Sequence, residues 1–149
     1  MIYRGKQYTL IIFGVEDTLT RPKSGGPTRE NAADWQWLPG RKERLLAISE
    51  ETHLAIVTNI DLHALKGSEM IIELTRMAAQ ARIPMRSVGY SLGENTWSLP
   101  APDMLLAAMK LEACTSSETL MVGTNPDDQG AAQAASCNFV LAEEFFAVL

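Results

Sequence analysis

The stretch "YTLIIFGVEDTLT", residues 8–20, decides how the rest of the chain is read. An almost unbroken apolar run stops at Gly14 and gives way to a small acidic loop, Glu16-Asp17, and then Thr18-Leu19-Thr20. Continuous runs rich in Ile, Val and Leu are the signature of parallel strands covered on both faces. In open parallel sheets the ligand site lies just outside the carboxyl ends of the strands. This loop therefore occupies the position of an active site, yet the first residue past the run has no side chain.

Four further runs follow: "HLAIVTNI" (53–60), "MRSVGYS" (85–91), "TLMVGTN" (119–125) and "CNFVLA" (137–142). Helical patterns alternate with them. Met70, Leu74, Met77, Ala78 and Ala81 share one helical face, as do Met104, Leu105, Ala108 and Leu111. Segments 41–51 and 127–136 read as two more helices, and "EEFFAVL" (143–149) as a short fifth. This alternation predicts an α/β, Rossmann-like fold: a five-stranded, mainly parallel sheet with helices on both faces and right-handed crossovers. One domain is expected over residues 1–149, with no repeats.

One segment breaks the rhythm. Residues 20–39, "TRPKSGGPTRENAADWQWLP", are dense in Gly, Pro and polar side chains. A connection this long in a compact domain is commonly a lid or binding loop, so a flap is expected here. It holds Trp35 and Trp37, and tryptophan is enriched where proteins meet partners. Arg21, Lys23 and Arg29 in the same loop read as solvated, with contact to a phosphorylated ligand or nucleic acid as the alternative.

Composition excludes several classes. The 149 residues are 46% hydrophobic and 21% charged, with a formal net charge of -5. General electrostatic binding to nucleic acid or anionic membrane is not expected. No apolar stretch nears the roughly 18 residues needed to span a bilayer, and the first residues lack a signal-peptide pattern, so a cytoplasmic location is expected. Cys114 and Cys137 read as reduced packing thiols, and with His53 and His63 they form no zinc pattern.

The strand ends carry a resemblance. "FGVEDTLT", "AIVTN", "SLPAPDMLLAAMK" and "VGTNPDDQGAAQAA" stand in order at the places of the four motifs of the haloacid dehalogenase (HAD) superfamily of phosphohydrolases. The chain is most similar to the short branch with little or no cap that includes histidinol-phosphate, heptose-bisphosphate and polynucleotide 3'-phosphatases. The resemblance covers residues 8–142. It places Gly14 where the family has its nucleophilic Asp, Glu16 at the general acid/base, Leu99 at the phosphate-neutralising Lys and Thr124 at a Mg²⁺-binding Asp. Thr18, Thr58, Asn59 and Asp128 keep family-like chemistry.

The changed residues alter what the pocket can do. Covalent phosphoryl transfer needs an oxygen nucleophile, and Gly14 has none. Mg²⁺ takes hard oxygen ligands, usually carboxylates, and two matching ones are missing. Leu99 brings no positive charge to a transferring phosphoryl group. The resulting expectation is a catalytically inactive pseudophosphatase that binds, scaffolds or regulates, with no metal or cofactor. Thr18, Thr58 and Asn59 are candidate ligand contacts, and Trp35 and Trp37 candidate partner contacts. The expected partner is a protein or a phosphorylated ligand. The alternative is an atypical phosphatase acting, with Mg²⁺, on a small phosphate ester or a nucleic-acid 3'-phosphate. Asp127 and Asp128 also suit helix initiation after an Asn125 cap and Pro126.

Overall fold

A computed structural model describes residues 1–63 and 65–147. Its centre is a five-stranded parallel sheet. Strand β3 (Leu10–Gly14) lies in the middle, with the order β7 (Val88–Leu92), β6 (His53–Ile60), β3, β8 (Thr119–Gly123) and β9 (Asn138–Leu141). The apolar run at 8–15 becomes the most enclosed strand because both faces are covered. Leu10, Ile11, Ile12 and Phe13 are all fully buried, each contributing roughly 1.5–3 kcal/mol by leaving water. This is the α/β, Rossmann-like architecture read from the sequence.

Helices cover both faces. Helices α1 (Arg41–Ile48), α2 (Gly67–Gln80) and α5 (Ala142–Ala147) pack on one face, through Leu45, Leu74, Met77 and Phe145 among others. Helices α3 (Asp103–Leu111) and α4 (Pro126–Ala134) cover the other, through Met104, Leu105, Met109 and Ala131. The expected face of α3 is corrected in part: Met109 points inward and Leu111 is exposed. The helix expected over 143–149 starts one residue early at Ala142, and Val148 and Leu149 lie outside the described residues.

Two small ribbons were not foreseen. Strands β1 (Ile2–Tyr3) and β2 (Lys6–Gln7) pair antiparallel ahead of the sheet. Strands β4 (Thr20–Arg21) and β5 (Gln36–Trp37) pair antiparallel at the base of the 20–39 flap. The predicted strand at 85–91 begins instead with a single 3₁₀ turn, Met85–Ser87. Among the described residues no helix is long and apolar enough to cross a membrane.

Candidate functional site: a closed seat beside the central strand

Three parallel strands end side by side, and their register sets the site. Gly14 at the end of β3 pairs with Val57 of β6, which leads directly into Thr58 and Asn59. On the other side β8 delivers Gly123 and then Thr124. Helix α4 starts immediately afterwards. Asn125 is its N-cap, accepting from the Asp128 backbone N–H at 2.9 Å, and Pro126 takes the first helical position. Helix initiation thus accounts for this segment, as its composition suggests, but it leaves the Asp128 side chain unexplained.

That side chain lies over the two strand-end glycines. A Cβ at Gly14 would stand 2.8 Å from Asp128 Oδ2, and one at Gly123 would stand 2.6 Å from the same oxygen. Both distances are shorter than real side chains tolerate, so only glycine at these positions admits the carboxylate. The Thr124 backbone N–H donates to Oδ2 at 3.1 Å. Asp128 is 2% exposed. Burial raises its carboxyl above the ordinary value; the nearby backbone N–H groups of Thr124 and Asn125 oppose this, and Asp127 adds to it.

Most of the degenerate motif positions gather here. Glu16, Thr58, Asn59, Leu99, Asn125, Asp127 and Asp128 line a cleft of about 210 Å³. Their polar groups are largely engaged with one another. The Asn59 side chain clamps the backbone of Leu99 in both directions, donating to its carbonyl at 3.0 Å and accepting from its N–H at 2.9 Å. The Thr18 and Thr124 hydroxyls bond each other at 2.8 Å, and Thr124 also donates to the Asp17 carbonyl at 3.0 Å. Of the expected ligand contacts, Thr18 is fully buried in that bond and Asn59 holds a loop. Thr58 lines the cleft, and its hydroxyl donates to the Asn59 carbonyl at 3.2 Å.

A Mg²⁺ ion would find few free oxygens at the matching positions: Gly14 has no side-chain oxygen, the Thr124 hydroxyl is bonded twice, and one Asp128 oxygen is held by a backbone N–H. Among the described residues no group of three His, Cys, Asp or Glu is arranged to hold a metal ion.

Arg29 is the main surprise. The sequence reads it as a solvated loop cation; instead its side chain is 2% exposed and pairs with Glu16 Oε1 at 2.8 Å. It also donates to the Ala32 carbonyl at 3.0 Å. The flap thus reaches back to the acidic loop after β3. Partial burial raises the Glu16 carboxyl, with Arg29 opposing the rise. No local sequence signal marks Arg29, because its partner lies across the flap. The Asp128 arrangement left a trace: two glycines at the ends of adjacent strands.

The tryptophans are placed differently from the expectation of a free surface. Trp35 is buried and donates its ring N–H to Glu73 at 3.3 Å. It pins the flap to α2, and with Trp37 it lines a groove of about 380 Å³ beside that helix. Trp37 is half-buried, meets Trp35 edge to face at 6.0 Å and bonds Gln80 at 2.7 Å. Trp97 is 56% exposed and lies in a separate groove rather than over this cleft.

No protein-family model and no curated protein matches the chain. Solved structures do. A D,D-heptose 1,7-bisphosphate phosphatase from B. bronchiseptica, complexed with magnesium and phosphate, is similar with a TM-score of 0.72 at 15% identity, over 93% of this chain and 86% of that one. A HAD-superfamily hydrolase from Ehrlichia chaffeensis gives 0.67 at 18% identity, over 91% and 87%. A HAD-superfamily hydrolase of subfamily IA from Geobacter sulfurreducens gives 0.65 at 16% identity, over 90% and 86%. The chain therefore has the fold of the HAD hydrolases, as its strand-end motifs imply.

Proposed function

We propose that this HAD-like chain is a catalytically inactive pseudophosphatase that works by binding, as a scaffolding or regulatory protein. The observation that carries the reading is the Asp128 carboxylate over Gly14, in the space a nucleophilic side chain would need. Leu99 at the place of the neutralising lysine supports it, as does the engagement of Arg29 with Glu16 and of Arg41 with the Thr18 carbonyl. The cleft is lined by Glu16, Asp127 and Asp128, and its acidic character favours a protein partner over a phosphorylated ligand.

A second reading rests on the same carboxylate. Asp128 could replace the missing nucleophile in an atypical phosphatase acting on a small phosphate ester or a nucleic-acid 3'-phosphate. A carboxylate attacking a phosphoryl dianion needs positive charge at the reacting oxygens; among the described residues no lysine or arginine lines the cleft, and nearby Arg29 is paired with Glu16. A phosphate-release screen over an aryl phosphate and a metabolite panel, with Mg²⁺ or Mn²⁺, separates the two. Release at the rate of the protein-free blank is expected. Turnover that disappears in Glu16→Ala or Asp128→Asn would sink the inactive reading.

A further inference from the structure

Helix α2 carries a stripe of residues three or four apart: Glu69, then Ile72 and Glu73, then Arg76 and Gln80. That spacing puts them on one face. The flap lies along this face and is bonded to it. Trp35 and Trp37 donate their ring N–H groups to Glu73 and Gln80, at 3.3 and 2.7 Å. The Arg29 guanidinium reaches the Met70 Sδ of the same helix at 3.5 Å. Two grooves run between flap and helix. One, of about 380 Å³, is lined by Lys23, Trp35, Trp37, Arg76 and Gln80 among others. The second, of about 330 Å³, includes Asn31, Glu69 and Ile72. Ala33 and Glu73 line both, so the two grooves meet in one trough.

The length and chemistry of the trough point to its occupant. From Glu69 to Gln80 the stripe runs roughly 16 Å, at about 1.5 Å a residue. An extended chain of about five residues covers that length, and a compact metabolite does not. The middle is apolar. Ile72 is 58% exposed, and Ala32 and Ala33 of the flap line the groove beside it. Both indole N–H groups are engaged with α2, so the rings present carbon rather than a donor. The two ends carry opposite charge. Lys23 and Arg76 are exposed at one end. Lys23 makes no ion pair among the described residues, and Arg76 meets Glu73 only at 3.7 Å. Glu69 is exposed at the other end, in a surface pair with Lys66 at 3.9 Å, an arrangement that contributes little.

We propose that this trough takes an extended peptide segment of a partner protein. The segment has an acidic residue at the Lys23 and Arg76 end, an apolar side chain over Ile72 and a basic residue at the Glu69 end. This rests on the reading of the chain as a binding protein, and it adds a surface apart from the strand-end cleft.

Panning a random octapeptide display library against the full chain tests it. Enriched peptides are expected to carry an acidic and a basic residue about five positions apart, with apolar side chains between them. Their binding should weaken about tenfold or more in Lys23→Glu/Arg76→Glu and in Ile72→Gln. Replacing the acidic residue of such a peptide with lysine should restore binding to Lys23→Glu/Arg76→Glu. All three substituted residues are exposed, so unchanged thermal melting confirms that each variant is folded. A library that enriches nothing above the bare support overturns the inference. So do enriched peptides whose binding ignores these substitutions, including any seated in the strand-end cleft. Phosphate turnover would sink the inactive reading alone, and a failed panning the trough alone.

Discussion

Gly14 and Asp128 are one feature divided between two loops. The glycine leaves a gap at the end of β3, and the carboxylate closes it from the first turn of α4. Gly14→Ala pushes a Cβ against Asp128 Oδ2 and should destabilise the fold by about 1–3 kcal/mol, the range for overpacking a filled site. Denaturant melts check this, and Asp128→Ala in the same chain should relieve most of the cost by vacating the space. The pH dependence follows from the raised Asp128 carboxyl. The native state holds this proton more tightly than the unfolded chain does. Stability from this group is therefore greatest below the ordinary carboxyl value, and it is lost as pH rises through the raised one. Asp128→Asn keeps the shape and removes the charge. Its stability relative to the parent chain should thus increase as pH rises through that window and stay higher at neutral pH.

At the scale of elements, the flap is a built structure rather than a loose loop. The Asp34 carboxylate accepts from the Ser24 backbone N–H at 2.9 Å, the Ser24 hydroxyl at 2.7 Å and the Glu30 N–H at 3.0 Å. The Glu30 and Ser24 hydrogen bonds hold the Asp34 carboxyl down to about 2. This contribution is complete above the ordinary carboxyl value and fades as pH falls toward 2, opposite in sign to that of Asp128. Arg29→Ala removes the bond between flap and acidic loop. The Glu16 side chain is 40% exposed, so the cost should be on the order of 1–2 kcal/mol, below that of breaking a fully buried pair. Limited proteolysis within residues 22–35 should accelerate in the same variant. None of this was legible in the sequence, because Arg29, Asp34 and Trp35 acquire their partners only when the flap folds back. Helix ends were hidden for another reason. Three helices stop with Arg82, Ala113 or Ser136 at positive φ, where glycine is the usual signal. The N–H groups of Ile83, Cys114 and Cys137 close these turns onto Ala78, Met109 and Ala132.

For the whole molecule, the sheet was the legible part. Runs such as "LIIFG" and "TLMVG" are apolar throughout because both faces of a central strand are buried. Their alternation with helices leaves little choice of topology once crossovers are right-handed. The strand-end motifs added the family resemblance, and the solved structures bear out its fold. What the motifs could not convey is how the kept residues engage the changed ones: Asp128 filling the space over Gly14, Asn59 clamping Leu99, and Thr18 bonding Thr124. These contacts join residues far apart in the chain.

The inactivity we propose means that this chain forms no covalent phosphoryl intermediate. Intact mass of the protein after incubation with acetyl phosphate and Mg²⁺, followed by peptide mapping, tests this. An unmodified chain is expected. A hydroxylamine-labile phosphoryl adduct on Asp128 or Glu16 would contradict it.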